Sequence, residues 1–193
     1  MLSVLILSGG QSSRMGTDKA LLKVGGRMLI EKIASISMAL TQQVYVLSFW
    51  PERYQSILPP GCHLIQEIKA TEQIGSHGPL VAFVQALPHI QSEWVLLLAC
   101  DLPKLNLEIL KEGYLSLPKE AIAYIPRQDS RWEPLCAFYN KSCYDSILDY
   151  LQTGRRSFQG WLNTIPVSQW NIRDTSILSN CNSPEDLHLF FLD

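Results

Sequence analysis

Short apolar runs alternate along this chain with stretches of helical period, and that alternation constrains the fold more than any other feature. The runs Ser3–Leu7, Val44–Ser48, His63–Gln66, Trp94–Ala99 and Ala121–Ile125, with Cys136–Tyr139 later, are rich in Val, Ile, Leu and Tyr. Gly, Pro or Asp bounds them, as expected of strands buried on both faces. Between them Met28–Leu40, Leu80–Leu87, Leu105–Leu115 and Ser142–Leu151 carry apolar residues at helical spacing. A closing helix is expected over Pro184–Leu192, with Ser183 as N-cap and Pro184 at the first helical position. Strand–helix alternation predicts an α/β fold built on a doubly wound, mostly parallel sheet. No repeat, low-complexity tract or linker interrupts it, so one domain over residues 1–193 is the expectation.

Composition bounds the function. With 47% hydrophobic and 18% charged residues there is ample material for one buried core. A net charge of -2 excludes a basic nucleic-acid coat and a polybasic membrane surface, so neither partner is expected. No run reaches the roughly 18 apolar residues of a membrane span, and Leu2–Leu7 lacks the basic flank of a signal peptide. Five cysteines, odd in number and without a CxxC pair, read as reduced thiols of a cytoplasmic protein rather than disulfides or a zinc site.

In doubly wound sheets ligands sit beyond the carboxyl ends of the strands. That rule selects the loop at Ser8, the Ser48–Trp50 turn, Glu67 and Asp101. The first loop reads Leu7-Ser8-Gly9-Gly10-Gln11-Ser12-Ser13-Arg14-Met15-Gly16-Thr17-Asp18-Lys19. Two glycines let the backbone approach a ligand and turn N–H groups toward an anion. Arg14 and Lys19 add fixed cations, which completes the requirements for holding a polyphosphate. The loop matches neither a P-loop nor GxGxxG. Two glycines alone would equally make an ordinary strand-to-helix turn.

Asp101 follows a strongly apolar run and places a hard oxygen ligand where Mg²⁺ could bind between protein and phosphates. The same residue could instead cap the helix after Pro103. Cys100 reads as a small buried side chain with no sign of nucleophilic activation.

The loop string GGxSxRMGxDKxLL resembles the signature of nucleotide-diphospho-sugar-transferase-like nucleotidyltransferases, in the version seen in molybdenum cofactor guanylyltransferases. Further blocks extend the resemblance along nearly the whole chain: Gly78-Pro79-Leu80, Leu98-Ala99-Cys100-Asp101-Leu102-Pro103 and Glu133-Pro134-Leu135-Cys136-Ala137-Phe138-Tyr139. Gly154-Arg155-Arg156 and Asn180-Cys181-Asn182-Ser183-Pro184-Glu185-Asp186-Leu187 complete the series. The resemblance implies transfer of GMP from Mg²⁺-GTP to the terminal phosphate of Mo-molybdopterin. Its protein partners would be an upstream molybdenum-insertion protein and the acceptor molybdoenzymes.

The nucleotide-binding half would be about residues 1–103 and the acceptor half about 104–193. By resemblance Leu7, Ser8, Gly9, Gly10, Gly78, Pro79 and Leu80 line the nucleotide, and Lys19 serves the α-phosphate region. Arg14 serves the outer phosphates, and Asp101 holds the metal. Glu67 stands where the family reads the base, usually with Asp, and an exposed loop glutamate is the plainer alternative. Arg155 and Arg156, beside Trp161, form a basic pair suited to a phosphate or pterin, or else a solvated helix end. Asn180 and Asn182 bring amides to the acceptor side, unless Asn180 only shapes a turn. The competing functions are a related transferase acting on a sugar phosphate or making the cytidylyl form, and a non-catalytic nucleotide-binding protein.

Overall fold

The computed structural model describes residues 1–9, 18–68 and 78–181. Within them the strands are β1 (Leu2–Leu7), β2 (Lys23–Val24), β3 (Arg27–Met28), β4 (Val44–Ser48) and β5 (His63–Gln66), then β6 (Trp94–Ala99), β7 (Ala123–Gln128), β8 (Arg131–Trp132), β9 (Cys136–Asn140) and β10 (Val167–Trp170). The helices are α1 (Leu29–Leu40), α2 (Pro79–Ala86), α3 (Leu107–Leu115), α4 (Tyr144–Gln152) and α5 (Phe158–Leu162). No helix among the described residues is long and apolar enough to cross a membrane.

The main sheet runs in the order β10-β7-β9-β6-β1-β4-β5, with β8 paired to β7. Strands β5, β4, β1 and β6 are mutually parallel, as expected, but β9 enters antiparallel between β6 and β7. Alternation along the strands explains the layers. Val4 and Ile6 of β1 and Leu96 and Leu98 of β6 face α1 and α3, while Leu5, Val95 and Leu97 face α2, α4 and α5. Each face therefore buries its own apolar set, which is why these runs carry no polar alternation.

The chain lays β4 and β5 on one side of β1, then crosses back to place β6 on the other. The gap between the carboxyl ends of β1 and β6 is thus a topological switch point, where open α/β sheets bind ligands.

Several boundaries shift for local reasons. The expected helix from Leu105 starts at Leu107, because Asn106 takes extended backbone and its Oδ1 accepts the Ile109 N–H at 3.0 Å. The strand expected at Ala121–Ile125 runs over Ala123–Gln128 and turns through Asp129 and Ser130, both at positive φ, into β8. That is the backbone of a tight hairpin turn matched to strand twist. The helix expected from Ser142 opens with a 3₁₀ turn over Lys141–Cys143 before α4. The expected closing helix Pro184–Leu192, with Ser183, lies outside the described residues.

Candidate active site

Four strand ends converge at the switch point. The amide of Ser8 donates to Leu47 O at 2.9 Å, and the amide of Glu67 donates to Ser48 O at 2.7 Å. These bonds carry the parallel ladder one residue past the strands and hold Ser8, Gly9 and Glu67 in adjacent positions. A Cβ built on Gly9 would lie 3.6 Å from Oε2 of Glu67 and 3.8 Å from the Phe49 ring. The carboxyl of Glu67 therefore stands over the Gly9 backbone.

Glu67 is 8% exposed, so it is not a loop glutamate in solvent. Burial pushes its carboxyl up to about 7. The Ile68 amide donates to Gln85 Oε1 at 3.0 Å, and Gln85 Nε2 donates back to Ile68 O at 3.2 Å, pinning the segment that carries Glu67 onto α2. At the α2 N-terminus Gly78 is the N-cap and Pro79 the first helical residue, where a missing N–H costs nothing. The Leu80 side chain is buried in the core.

On the other side of β1 stands Asp101, at the end of β6. Burial raises its carboxyl, while a backbone hydrogen bond and the Lys19 ammonium favour its charged form. The helix after Pro103 is capped by Asn106, so Asp101 does not cap it. A half-buried carboxylate opposed by one lysine and freed from capping fits a divalent cation that arrives with phosphate oxygens and water. No cluster of three or more His, Cys, Asp or Glu among the described residues forms a self-sufficient metal cage.

Lys19 opens a 3₁₀ turn, Lys19–Leu21, whose N-cap is Asp18. Asp18 Oδ1 accepts the Ala20 N–H at 3.1 Å, and Asp18 Oδ2 accepts the Tyr54 hydroxyl at 2.7 Å. Cys100, buried beneath, lies near Asp18, Asp101 and the Ser8 hydroxyl, and its thiol is pushed up to about 12, mainly by burial. It stays protonated and inert, as the sequence suggests.

The family model described as a MobA-like NTP transferase domain matches residues 4–165. The chain belongs to this family. A Nostoc sp. relative named "Probable molybdenum cofactor guanylyltransferase" is 45% identical over 189 residues, spanning 96% of this chain and 88% of the relative. A Synechococcus elongatus relative of the same name is 42% identical over 187 residues, 95% of either chain. Among solved structures, the molybdopterin-guanine dinucleotide biosynthesis protein A of Archaeoglobus fulgidus superposes with a TM-score of 0.75 at 24% identity, over 98% of this chain and 96% of that one. The 2-C-methyl-D-erythritol 4-phosphate cytidylyltransferase of Thermus thermophilus gives 0.67 at 16% identity, over 97% and 95%. At such identities these two establish the fold alone.

Within this NTP transferase domain, Ser8, Gly9 and Glu67 come together past the ends of β1 and β5, Lys19 interacts with Asp101 at the end of β6, Leu7 ends β1, and Gly78 and Pro79 begin α2. Gly10, Arg14 and Asn182 lie outside the described residues. Asn180 precedes Cys181, whose amide donates to Asp101 O at 2.9 Å. The basic pair divides. Arg156 Nη1 donates to Leu151 O at 2.6 Å and to Arg155 O at 2.8 Å, closing the end of α4, while Arg155 is exposed. Trp161 is fully buried, its indole N–H donating to Ser146 Oγ at 2.9 Å, so it belongs to the core and presents no face to a pterin.

Sequence reasoning selected the Ser48–Trp50 turn that carries Phe49 but missed Tyr54. Asp18 sits inside the loop motif, but nothing in the sequence pairs it with a tyrosine in the loop after β4.

Proposed function

We propose that this chain transfers GMP from GTP to the terminal phosphate of Mo-molybdopterin, in the cytoplasm, and that one domain performs the whole reaction. The carrying observation is the electrostatic interaction of the Lys19 ammonium with the Asp101 carboxyl at the end of β6, at the switch point of the sheet. The names of the Nostoc and Synechococcus relatives support guanylyl transfer to this acceptor. Continuity of the sheet across the β6–β9 pairing supports a single domain that joins the nucleotide half to the acceptor half.

In this reading the acceptor phosphate oxygen attacks the α-phosphorus in line. A new P–O bond forms, the bond from the α-phosphorus to the bridging oxygen breaks, and pyrophosphate leaves with the electron pair. No covalent enzyme intermediate is required, so the protein acts by positioning and charge neutralisation. Backbone N–H groups after β1 and the Lys19 ammonium hold the phosphates, with Arg14 serving the outer ones. Asp101 would hold Mg²⁺, which supplies charge neutralisation on the phosphate oxygens and the departing pyrophosphate. Glu67 accepts the two N–H donors on the guanine edge, a contact that cytosine and adenine do not match. Arg155, Asn180 and Asn182 serve the acceptor. Molybdenum insertion upstream and delivery to molybdoenzymes downstream supply the protein partners.

The test is direct. The protein is incubated with Mo-molybdopterin, Mg²⁺ and GTP, CTP or ATP, and dinucleotide and pyrophosphate are measured. GTP should be the productive triphosphate. Dinucleotide from CTP alone would make the chain a cytidylyltransferase, and no product with any of them would refute nucleotidyl transfer.

A further inference from the structure

We propose that Tyr54 is a positioning residue for this reaction: through Asp18 it fixes the turn that presents Lys19 to the Asp101 side of the cleft. The proposal rests on the transfer function proposed above, and it adds a residue from a loop that carries none of the family blocks.

Tyr54 lies just after the 3₁₀ turn Pro51–Arg53 that follows β4, and it is 1% exposed. Its ring packs in the same core cluster as Ala20, Ile30 and Cys100. A buried phenol must satisfy its hydroxyl, and this one donates to Asp18 Oδ2 at 2.7 Å. The other carboxyl oxygen of Asp18 accepts the Ala20 N–H at 3.1 Å, and Asp18 O accepts the Leu21 N–H at 3.0 Å. Asp18 is thus held from both sides, and Lys19 is the next residue. The buried Ser8 hydroxyl lies beside the same phenol. Two loops meet at Tyr54: the one after β4, and the one after β1 through both Ser8 and the turn bearing Lys19.

The functional consequence follows from how steeply transition-state charge stabilisation depends on position. A cation displaced by about 1 Å from a reacting phosphate loses much of its effect, up to about 10²-fold in rate. Lys19 sits on a three-residue 3₁₀ turn rather than within a longer helix or strand. The Tyr54–Asp18 bond supplies that rigidity from the core. A purely structural tyrosine would affect stability and leave turnover alone.

The test compares the full chain with Tyr54→Phe, Asp18→Asn and the double variant. Tyr54→Phe keeps the ring and removes one hydroxyl. Hydrogen exchange at the Ala20 amide should speed by roughly tenfold while β1 and β6 amides keep their protection. Turnover should fall about tenfold with KM for Mg²⁺-GTP within about twofold, since only transition-state charge is affected. The double variant should be no slower than Asp18→Asn alone, because both act through one contact. Unchanged turnover with a lowered melting temperature, or additive losses in the double variant, would overturn the proposal. If the parent chain transferred no nucleotide, the proposed function would fail. Ala20 exchange would then decide the brace, and exchange unaltered by Tyr54→Phe would refute it.

Discussion

The amide of Cys181 donates a 2.9 Å hydrogen bond to the backbone oxygen of Asp101, tying the chain beside Asn180 to the residue that ends β6. The bond uses the main chain of Asp101 and leaves its carboxyl to the cleft. Cys181 itself is fully buried with Val24 and Leu29, so the contact is anchored on a small core of its own.

Replacement of Asp101 by Asn should therefore spare the fold, since Cys181 keeps its acceptor and Asn106 still caps α3. An amide oxygen is a weaker ligand for a hard cation, and transfer should fall by ~10²-fold or more. Steady-state turnover at ordinary Mg²⁺ alongside a thermal melt reads both. Near-normal turnover would remove the metal role.

Glu67 should impose two opposite pH dependences. Its folded value, about 7, lies above the ordinary 4.5. The stability it contributes is full below about 4.5 and is lost as pH rises through about 7. Guanine recognition needs the carboxylate, so affinity for Mg²⁺-GTP should rise over the same interval. Glu67→Gln should flatten both curves, as followed by urea unfolding and calorimetric titration. A Mg²⁺-GTP affinity that ignores pH in the parent chain would contradict the assignment.

The two adjacent arginines should separate. Arg156→Ala removes the donor to Leu151 O and should cost about 1 kcal/mol in a urea unfolding experiment. Arg155→Ala should leave stability unchanged and raise KM for molybdopterin by about tenfold, the scale of one charge-assisted contact. An equal loss of GTP affinity in Arg155→Ala would place that arginine on the triphosphate.

Gly113→Ala should destabilise, against the usual preference of helices for alanine. A Cβ there would lie 2.5 Å from Trp170 Cζ2 and 2.8 Å from Phe138 Cε2, where α3 crosses β9 and β10. Overpacking of this kind costs about 1–3 kcal/mol. A chemical melt should show the loss with KM for GTP unaltered, because the crossing is remote from Ser8 and Glu67.

Local chemistry determined a good deal of this protein. Apolar runs marked β4, β5 and β6 to the residue; for β4 and β6 the reason is burial on both faces, whereas β5, at the sheet edge, buries only Ile65 fully. The loop motif marked Gly9 and Lys19, and the carboxyl-end rule marked Glu67 and Asp101, before any contact was known. Short elements were illegible. Five-residue α5 contains Gly160, and edge strand β10 is only partly buried, so neither carries a full period of either pattern. The antiparallel entry of β9 was hidden because buried strands look alike in either direction. Contacts made across distance were decided by the tertiary structure alone. The Tyr54–Asp18 bond, the Cys181–Asp101 tie, the burial that raises Glu67 and the split roles of Arg155 and Arg156 each depend on which loops the sheet brings together. Hydrogen bonding and desolvation act through space, and the sequence records only neighbours along the chain.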